Sequence, residues 1–274
     1  MILVDTHCHL DAAQFASEPP EAILARAAEA GVGRLVSIGT ELATSRAAVA
    51  LAERLAPVYA TVGVDPNDAA GFDPAALAAL EALATSPKAV AIGEIGLDYH
   101  WDRVARDEQA RVFRLQLDLA RRQGLPVVIH SRDADADCAA ILLDWAAAAR
   151  AAGAYAGRPV GVMHCYAGDL PLAERLVDAG FLISLAGVVT YKNAERARAV
   201  AAGLPASALV LETDAPYLSP QPFRGQRNEP AHLRATAERV AALRGMTLET
   251  LARATTANAA RLFGWESPDT WETR

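Results

Sequence analysis

Eight short apolar runs punctuate the chain: ILVD, RLVSIGT, YATVGV, AVAIGEIGL, PVVIH, GVMHC, FLISLA and LVLETD. Their length and β-branched content are those of strands buried on both faces. Between most of them lie stretches with a helical 3.6-residue apolar period, such as PEAILARAAEAG, TSRAAVALAERLA, DEQARVFRLQLDLARRQG and DLPLAERLVDAG. The third has its start and stop written into it. Asp107 and Glu108 suit the positive end of a helix dipole, Arg121 and Arg122 the negative end, and Gly124 is a stop signal.

Continuous apolar strands alternating with helices predict a parallel sheet covered by helices, and eight such units in 274 residues predict an α/β fold of the (β/α)8 TIM-barrel type. An open doubly wound sheet would bring a glycine-rich phosphate loop after its first strand, and none follows ILVD. No linker, low-complexity segment or repeat divides the chain. The expectation is one barrel domain over 1–264, with TLETLARATTANAARLFGW forming one or two short helices that close the barrel, and a loose tail over 265–274.

Composition narrows the function. No apolar run approaches the roughly 20 residues of a membrane span, and no secretory leader is expected before MILVD. Cys8, Cys138 and Cys165 are odd in number and lack C-x-x-C spacing, which predicts reduced thiols and a cytoplasmic protein. A net charge of −7 argues against a broad basic nucleic-acid surface, so any phosphate binding must be local. Lys88 and Lys192 are the only lysines among 26 basic residues, a bias we read as coding preference, because most arginines fall on solvated helix faces.

The polar residues at the strand ends carry the chemistry. In an extended chain His7 and His9 point to one side and Cys8 to the other, so two imidazoles converge on one point. Glu94 is expected to end the fourth strand, His130 the fifth, His164 the sixth and Asp214 the eighth. In a (β/α)8 barrel those ends form the rim where active sites lie. Taken singly, each has a plainer use: a hydrogen-bonded strand-end His130, an ion-paired Glu94, a turn or cap at Asp214. Together, histidines and carboxylates at one mouth are a donor set for divalent cations such as Zn²⁺, Mn²⁺ or Mg²⁺. His100 is placed in a loop and His232 on a surface helix. Cys8 and Cys165 are assigned to packing by strand alternation.

Six blocks together carry a resemblance: DTHCHLD, GEIGLDYHWD, the Q-x-x-x-F-x-x-Q-L-x-L-A helix from Gln109, LPVVIHSRDAxxD, GVMHCYAGDL and ETDAPYLSPxPxRGxxNEP. From Asp5 to about Phe263 the chain resembles the TatD family of metal-dependent deoxyribonucleases, within the amidohydrolase-like metallo-dependent hydrolases. The resemblance implies two divalent metal ions, with His7, His9, Glu94 and Asp214 around the first, and Glu94 bridging to a second held by His130 and His164. It also implies a DNA substrate, single-stranded or end-frayed, cleaved by exonuclease action. Where the family often reads G-V-H-P-H or G-V-H-P-N, this chain has Gly63, Val64, Asp65, Pro66 and Asn67. Asp65 thus stands where an imidazole able to touch phosphate is usual, unless it only makes a turn.

The expected mechanism uses a metal-activated water and no covalent nucleophile, with Asp214 accepting its proton and Glu94 fixing the ions. Arg132, two residues past His130, is the first candidate phosphate fork, against an ion pair with Asp133 or Asp135. Arg224, Arg227 and Tyr217 follow the eighth strand, and Tyr99, Trp101, Tyr166 and Tyr191 lie in loops where rings can stack on bases or simply pack. No obligate protein partner and no membrane are expected. Two rival readings stand beside the nuclease: a hydrolase of an amide, ester or cyclic amidine on the same barrel, and a metal-binding relative without turnover.

Overall fold

The computed structural model describes residues 1–271. Among them, eight strands form one sheet in sequence order: β1 (Leu3–Cys8), β2 (Val32–Ser37), β3 (Val58–Val62), β4 (Ala89–Asp98), β5 (Val127–Arg132), β6 (Gly161–Met163), β7 (Phe181–Leu185) and β8 (Leu209–Leu211). All eight fall on the apolar runs, and helices alternate with them: α1 (Pro20–Glu29), α2 (Leu42–Arg54), α3 (Pro74–Leu83), α4 (Arg106–Gln123), α5 (Asp135–Ala151), α6 (Leu170–Asp178), α7 (Glu195–Gly203), α8 (Leu233–Arg244) and α9 (Leu248–Phe263). The fold is a (β/α)8 barrel of the TIM type.

Two units are distinguished by their internal packing, 1–35 with 165–177 and 182–274, and 36–164 with 178–181. In the first, β1 meets the segment after β8: Cys8 bridges Ala215 in parallel, Asp214 N–H donates to His7 O (2.9 Å), and His9 N–H donates to Ala215 O (2.7 Å). Asp5, buried in β1, locks that seam by accepting from Thr213 N (2.9 Å) and Thr213 Oγ1 (2.5 Å). TLETLARATTANAARLF forms one helix, α9, where one or two were expected; Asn258 Nδ2 on it donates to Leu209 O and Ala206 O, both at 2.8 Å. Of the tail expected to be loose, 265–271 is placed: the Arg34 guanidinium lies 3.6 Å from the Trp271 ring centre and 5.0 Å from that of Trp265. Residues 272–274 lie outside the described residues.

In the second unit β3, β4, β5 and β6 pair in parallel. Helix α4 ends at Gly124 in the left-handed conformation (φ 65°), as its sequence predicts, with Asp107 and Glu108 in its first turn and Arg121 and Arg122 in its last. Its motif glutamines, two helical turns apart on one face, peg backbone segments to the helix. Gln109 Oε1 accepts from Asp98 N (2.8 Å) while its Nε2 donates to Asp98 O (2.9 Å), and Gln116 does the same at Val64 (2.8 and 2.9 Å). Both are buried, so a full amide-to-peptide pairing offsets the cost of taking a polar side chain out of water. These pegs fix the chain just before Asp65 and just before the loop that carries Trp101.

Candidate metal centre

One donor cluster sits on the β1–β8 seam of the first unit. His7 is buried inside β1 and His9 follows the strand, and alternation turns both rings to the same side, their Nε2 atoms 3.3 Å apart. Asp214 Oδ1 lies 3.7 Å from His7 Nε2 and 3.4 Å from His9 Nε2. Asp214 takes a positive φ of 56°, which a non-glycine residue adopts rarely. The bonds it donates to His7 O and accepts from Tyr217 N (2.8 Å) hold it there.

Another donor cluster sits in the second unit, on β4, β5 and the residue after β6. Glu94 was expected to end its strand; instead β4 runs on to Asp98, and its pairing with β5 shifts register between Ile92 and Ile95. The continuation matters because alternation returns residue 98 to the same face as residue 94. His130, opposite Gly96 in β5, is held between them: its Nδ1 lies 2.8 Å from Glu94 Oε1 and its Nε2 3.0 Å from Asp98 Oδ2. Gly96 has φ 150° and a Cβ there would run into the His130 carbonyl, so this close pairing requires glycine. His164 brings its Nε2 to 3.8 Å from Glu94 Oε1.

Burial and hydrogen bonds pull in opposite directions on the charges of this cluster. Burial opposes a charge on His130, but the bonds to Asp98 and Glu94 outweigh it and raise its pKa well above the ordinary histidine value. Burial likewise works against ionised Asp98, yet the His130 and Asn67 hydrogen bonds hold its carboxyl well below the usual range. At Asp65 burial wins, helped by the Glu94 charge, and pushes the carboxyl up to about 6.

Within each unit one group of ligand atoms is mutually within 4.8 Å: His7, His9 and Asp214 in the first unit, and Glu94, His130 and His164 in the second. Neutral imidazoles and carboxylates converging on one point are the donor types that borderline and hard divalent cations take. The residues present therefore fit divalent metal.

Sequence reasoning passed over several residues that shape the site. Asp98 could have been found from the four-residue spacing to Glu94 with glycine between. Asn67, whose Nδ2 bridges Asp65 Oδ1 (3.0 Å) and Asp98 Oδ2 (3.1 Å), has no signal beyond a turn. Glu212 is buried and accepts from Cys165 N (2.6 Å), fixing the loop just after His164. Asp65 itself caps the short turn over 66–68, accepting from Asn67 N (2.8 Å), which is the turn weighed for it.

Among the substrate candidates, Arg132 and Arg224 are exposed. The acids weighed as Arg132 partners are engaged elsewhere, Asp133 with His100 (3.1 Å) and Asp135 with Ser131 (2.7 Å). Arg224 rests on Tyr191, 4.2 Å over the ring and 2.8 Å from its hydroxyl. Arg227 is spent on structure, with Glu18 at 2.5 Å in a network that includes Arg26 and Glu229. His232, expected on a surface helix, precedes α8 and stacks on Phe223 at 3.8 Å.

Known proteins bear on the site. The family model described as TatD related DNase matches residues 4–264. A relative from Bacillus subtilis, called an uncharacterized metal-dependent hydrolase YabD, is 41% identical, covering 96% of this chain and 99% of its own. A Salmonella typhimurium relative called 3'-5' ssDNA/RNA exonuclease TatD is 35% identical over 95% of this chain and 98% of its own. The crystal structure of the Escherichia coli TatD homologue YjjV superposes with a TM-score of 0.88 at 35% identity, covering 96% of this chain and 98% of that one. With two donor triads on a (β/α)8 frame and a match along nearly its whole length, the chain belongs to the TatD-related DNase family of metal-dependent hydrolases.

Proposed function

We propose that this protein hydrolyses phosphodiester bonds in single-stranded or end-frayed DNA, working as an exonuclease. Two divalent cations, of zinc, magnesium or manganese, would be held by His7, His9 and Asp214 and by Glu94, His130 and His164. The observation that carries the reading is the pair of convergent nitrogen and oxygen triads. The Salmonella relative described as an exonuclease on ssDNA and RNA supports the substrate class. Cations bound at such donors polarise a phosphoryl oxygen and acidify a water molecule.

The chain's own residues do the rest. Asp214, 8% exposed and fixed through its backbone to His7 and Tyr217, accepts the proton of the attacking water. Glu94, 4% exposed, turns one carboxylate oxygen toward both His130 and His164 and holds that half of the site together. Arg132 and Arg224 offer exposed guanidinium groups to the phosphates of the strand, and Asp65 lines the approach after β3. No side chain is needed as a covalent nucleophile. An odd number of cysteines without C-x-x-C spacing supports a cytoplasmic location. Among the described residues no helix is long and apolar enough to cross a membrane.

The test is cleavage of end-labelled single- and double-stranded DNA, and of RNA, by chelated protein resupplied with each metal in turn. Metal-restored release of nucleotides from the single strand is expected. Turnover of amides or esters with no phosphodiester cleavage under any metal would overturn the reading.

A further inference from the structure

Trp101 is 46% exposed, one of three large apolar side chains at the surface among the described residues, with Met1 and Tyr217. It lies in the loop directly after β4, three residues beyond Asp98. His100 meets its ring perpendicularly at 4.8 Å, and two guanidinium groups approach it, Arg103 at 5.5 Å and Arg132 at 5.6 Å from the ring centre. We propose that Trp101 is a stacking platform for an unpaired base of the nucleic-acid substrate, set in register with the His130 half of the metal centre by Asp98; this rests on the phosphodiesterase reading above.

The register is the strongest part of the argument. One oxygen of Asp98, Oδ1, accepts from the backbone N–H groups of His100 (2.9 Å) and Trp101 (3.3 Å). The other, Oδ2, engages His130 Nε2 (3.0 Å). A single buried carboxylate therefore ties the platform and a candidate metal ligand, and Gln109 clamps its backbone at both the N–H and the carbonyl. Two backbone hydrogen bonds to a buried carboxylate restrain the loop, which lowers the conformational entropy lost on binding. An exposed ring with two guanidinium groups within 6 Å of its centre suits the chemistry of a single strand: a π-face takes any base, and Arg103 and Arg132 supply positive charge for the neighbouring phosphates. A base held in a duplex is already stacked and cannot offer its face, so the platform selects unpaired ends.

The experiment compares the parent with Trp101→Phe and Trp101→Ala, substitutions at an exposed position that leave the core untouched. Binding of fluorescein-labelled oligothymidylate to chelated protein is followed by anisotropy, alongside a strand of the same length with abasic sites. In metal-loaded protein, kcat/KM for oligothymidylate is divided by kcat/KM for methyl p-nitrophenyl phosphate, which has no base. Trp101→Ala should weaken binding and lower the ratio about tenfold or more, Trp101→Phe less, and the parent should bind the abasic strand about as weakly as Trp101→Ala binds oligothymidylate. Parent-like binding by Trp101→Ala, or full-strength binding of the abasic strand by the parent, overturns the platform. If the parent binds oligothymidylate through Trp101 but does not cleave it whichever metal is supplied, the phosphodiesterase reading fails and the platform stands. If it cleaves oligothymidylate and Trp101→Ala matches it in binding and ratio, the platform fails and the reading stands.

Discussion

Asp98→Asn isolates the role of a residue that touches a metal ligand without belonging to either donor triad. The substitution keeps the volume, and an amide oxygen placed at Oδ1 still accepts from His100 N and Trp101 N. The amide nitrogen then falls where Oδ2 now receives Asn67 Nδ2 (3.1 Å) and faces His130 Nε2 (3.0 Å). Either two donors oppose each other, leaving a buried donor without an acceptor at about 1–3 kcal/mol, or His130 changes tautomer. In the second case its proton moves to Nδ1, the nitrogen that faces Glu94 and must be unprotonated to ligate. Both routes penalise the metal-loaded form, so affinity at the Glu94, His130 and His164 triad should fall by roughly 10- to 100-fold, the usual effect of losing a carboxylate behind a metal-bound imidazole. Competition against a chromophoric chelator measures this directly, with the His7, His9 and Asp214 site as the internal control. Two sites of unchanged affinity in Asp98→Asn would refute the reasoning.

Other variants probe the rest of the site. Chelation should remove metal and hydrolysis while circular dichroism and the melting transition still report a folded barrel, because a core of this size does not depend on metal; an unfolded chelated sample would contradict a preformed scaffold. Glu94→Gln and Asp214→Asn should each lower turnover by about 10²–10⁴ or more, with the greater metal loss by elemental analysis in Glu94→Gln. Asp65→Ala removes the cap of the 66–68 turn and releases Asn67 from one partner, costing about 1 kcal/mol in denaturant titration; Asp65→His should raise kcat/KM only if the carboxylate repels the substrate phosphate, and unchanged constants would leave the turn as its role. Asp5 is fully buried, and burial raises its carboxyl from 3.8 to about 7. The folded state therefore holds a proton that the unfolded state releases, so metal-free protein should lose stability on the order of a few kcal/mol as pH rises from about 4 to 7. Asp5→Asn should flatten that slope in pH-dependent denaturation, and an equal slope in both proteins would exclude the assignment.

The strands and the two triads were legible in the sequence for the same reason. A buried parallel strand announces itself as an apolar run, and a polar residue after that run stands out, as His130 does after PVVI and Asp214 after LVLET, although β5 runs on to Arg132 and β8 stops at Leu211. The residues that went unread are polar groups that bond to other protein groups. Gln109 and Gln116 look like ordinary members of an amphipathic helix, and only the tertiary arrangement reveals that each pairs with a peptide group. Glu212 follows the apolar LVL of β8 and accepts from Cys165 N, a long-range contact with no local signature.

Asp98 shows where the boundary between legible and illegible lies. Its spacing from Glu94 is plain, but reading β4 as ending at Glu94 put it in a loop, where alternation has no meaning. Extending the strand by four residues turns a loop acid into the second carboxylate on one imidazole. The same extension moves Trp101 from an arbitrary loop position to three residues beyond a fixed point in the metal centre. A small error in a strand boundary therefore conceals a residue that orients a ligand, because in a sheet the facing of every later side chain is counted from where the strand is taken to stop.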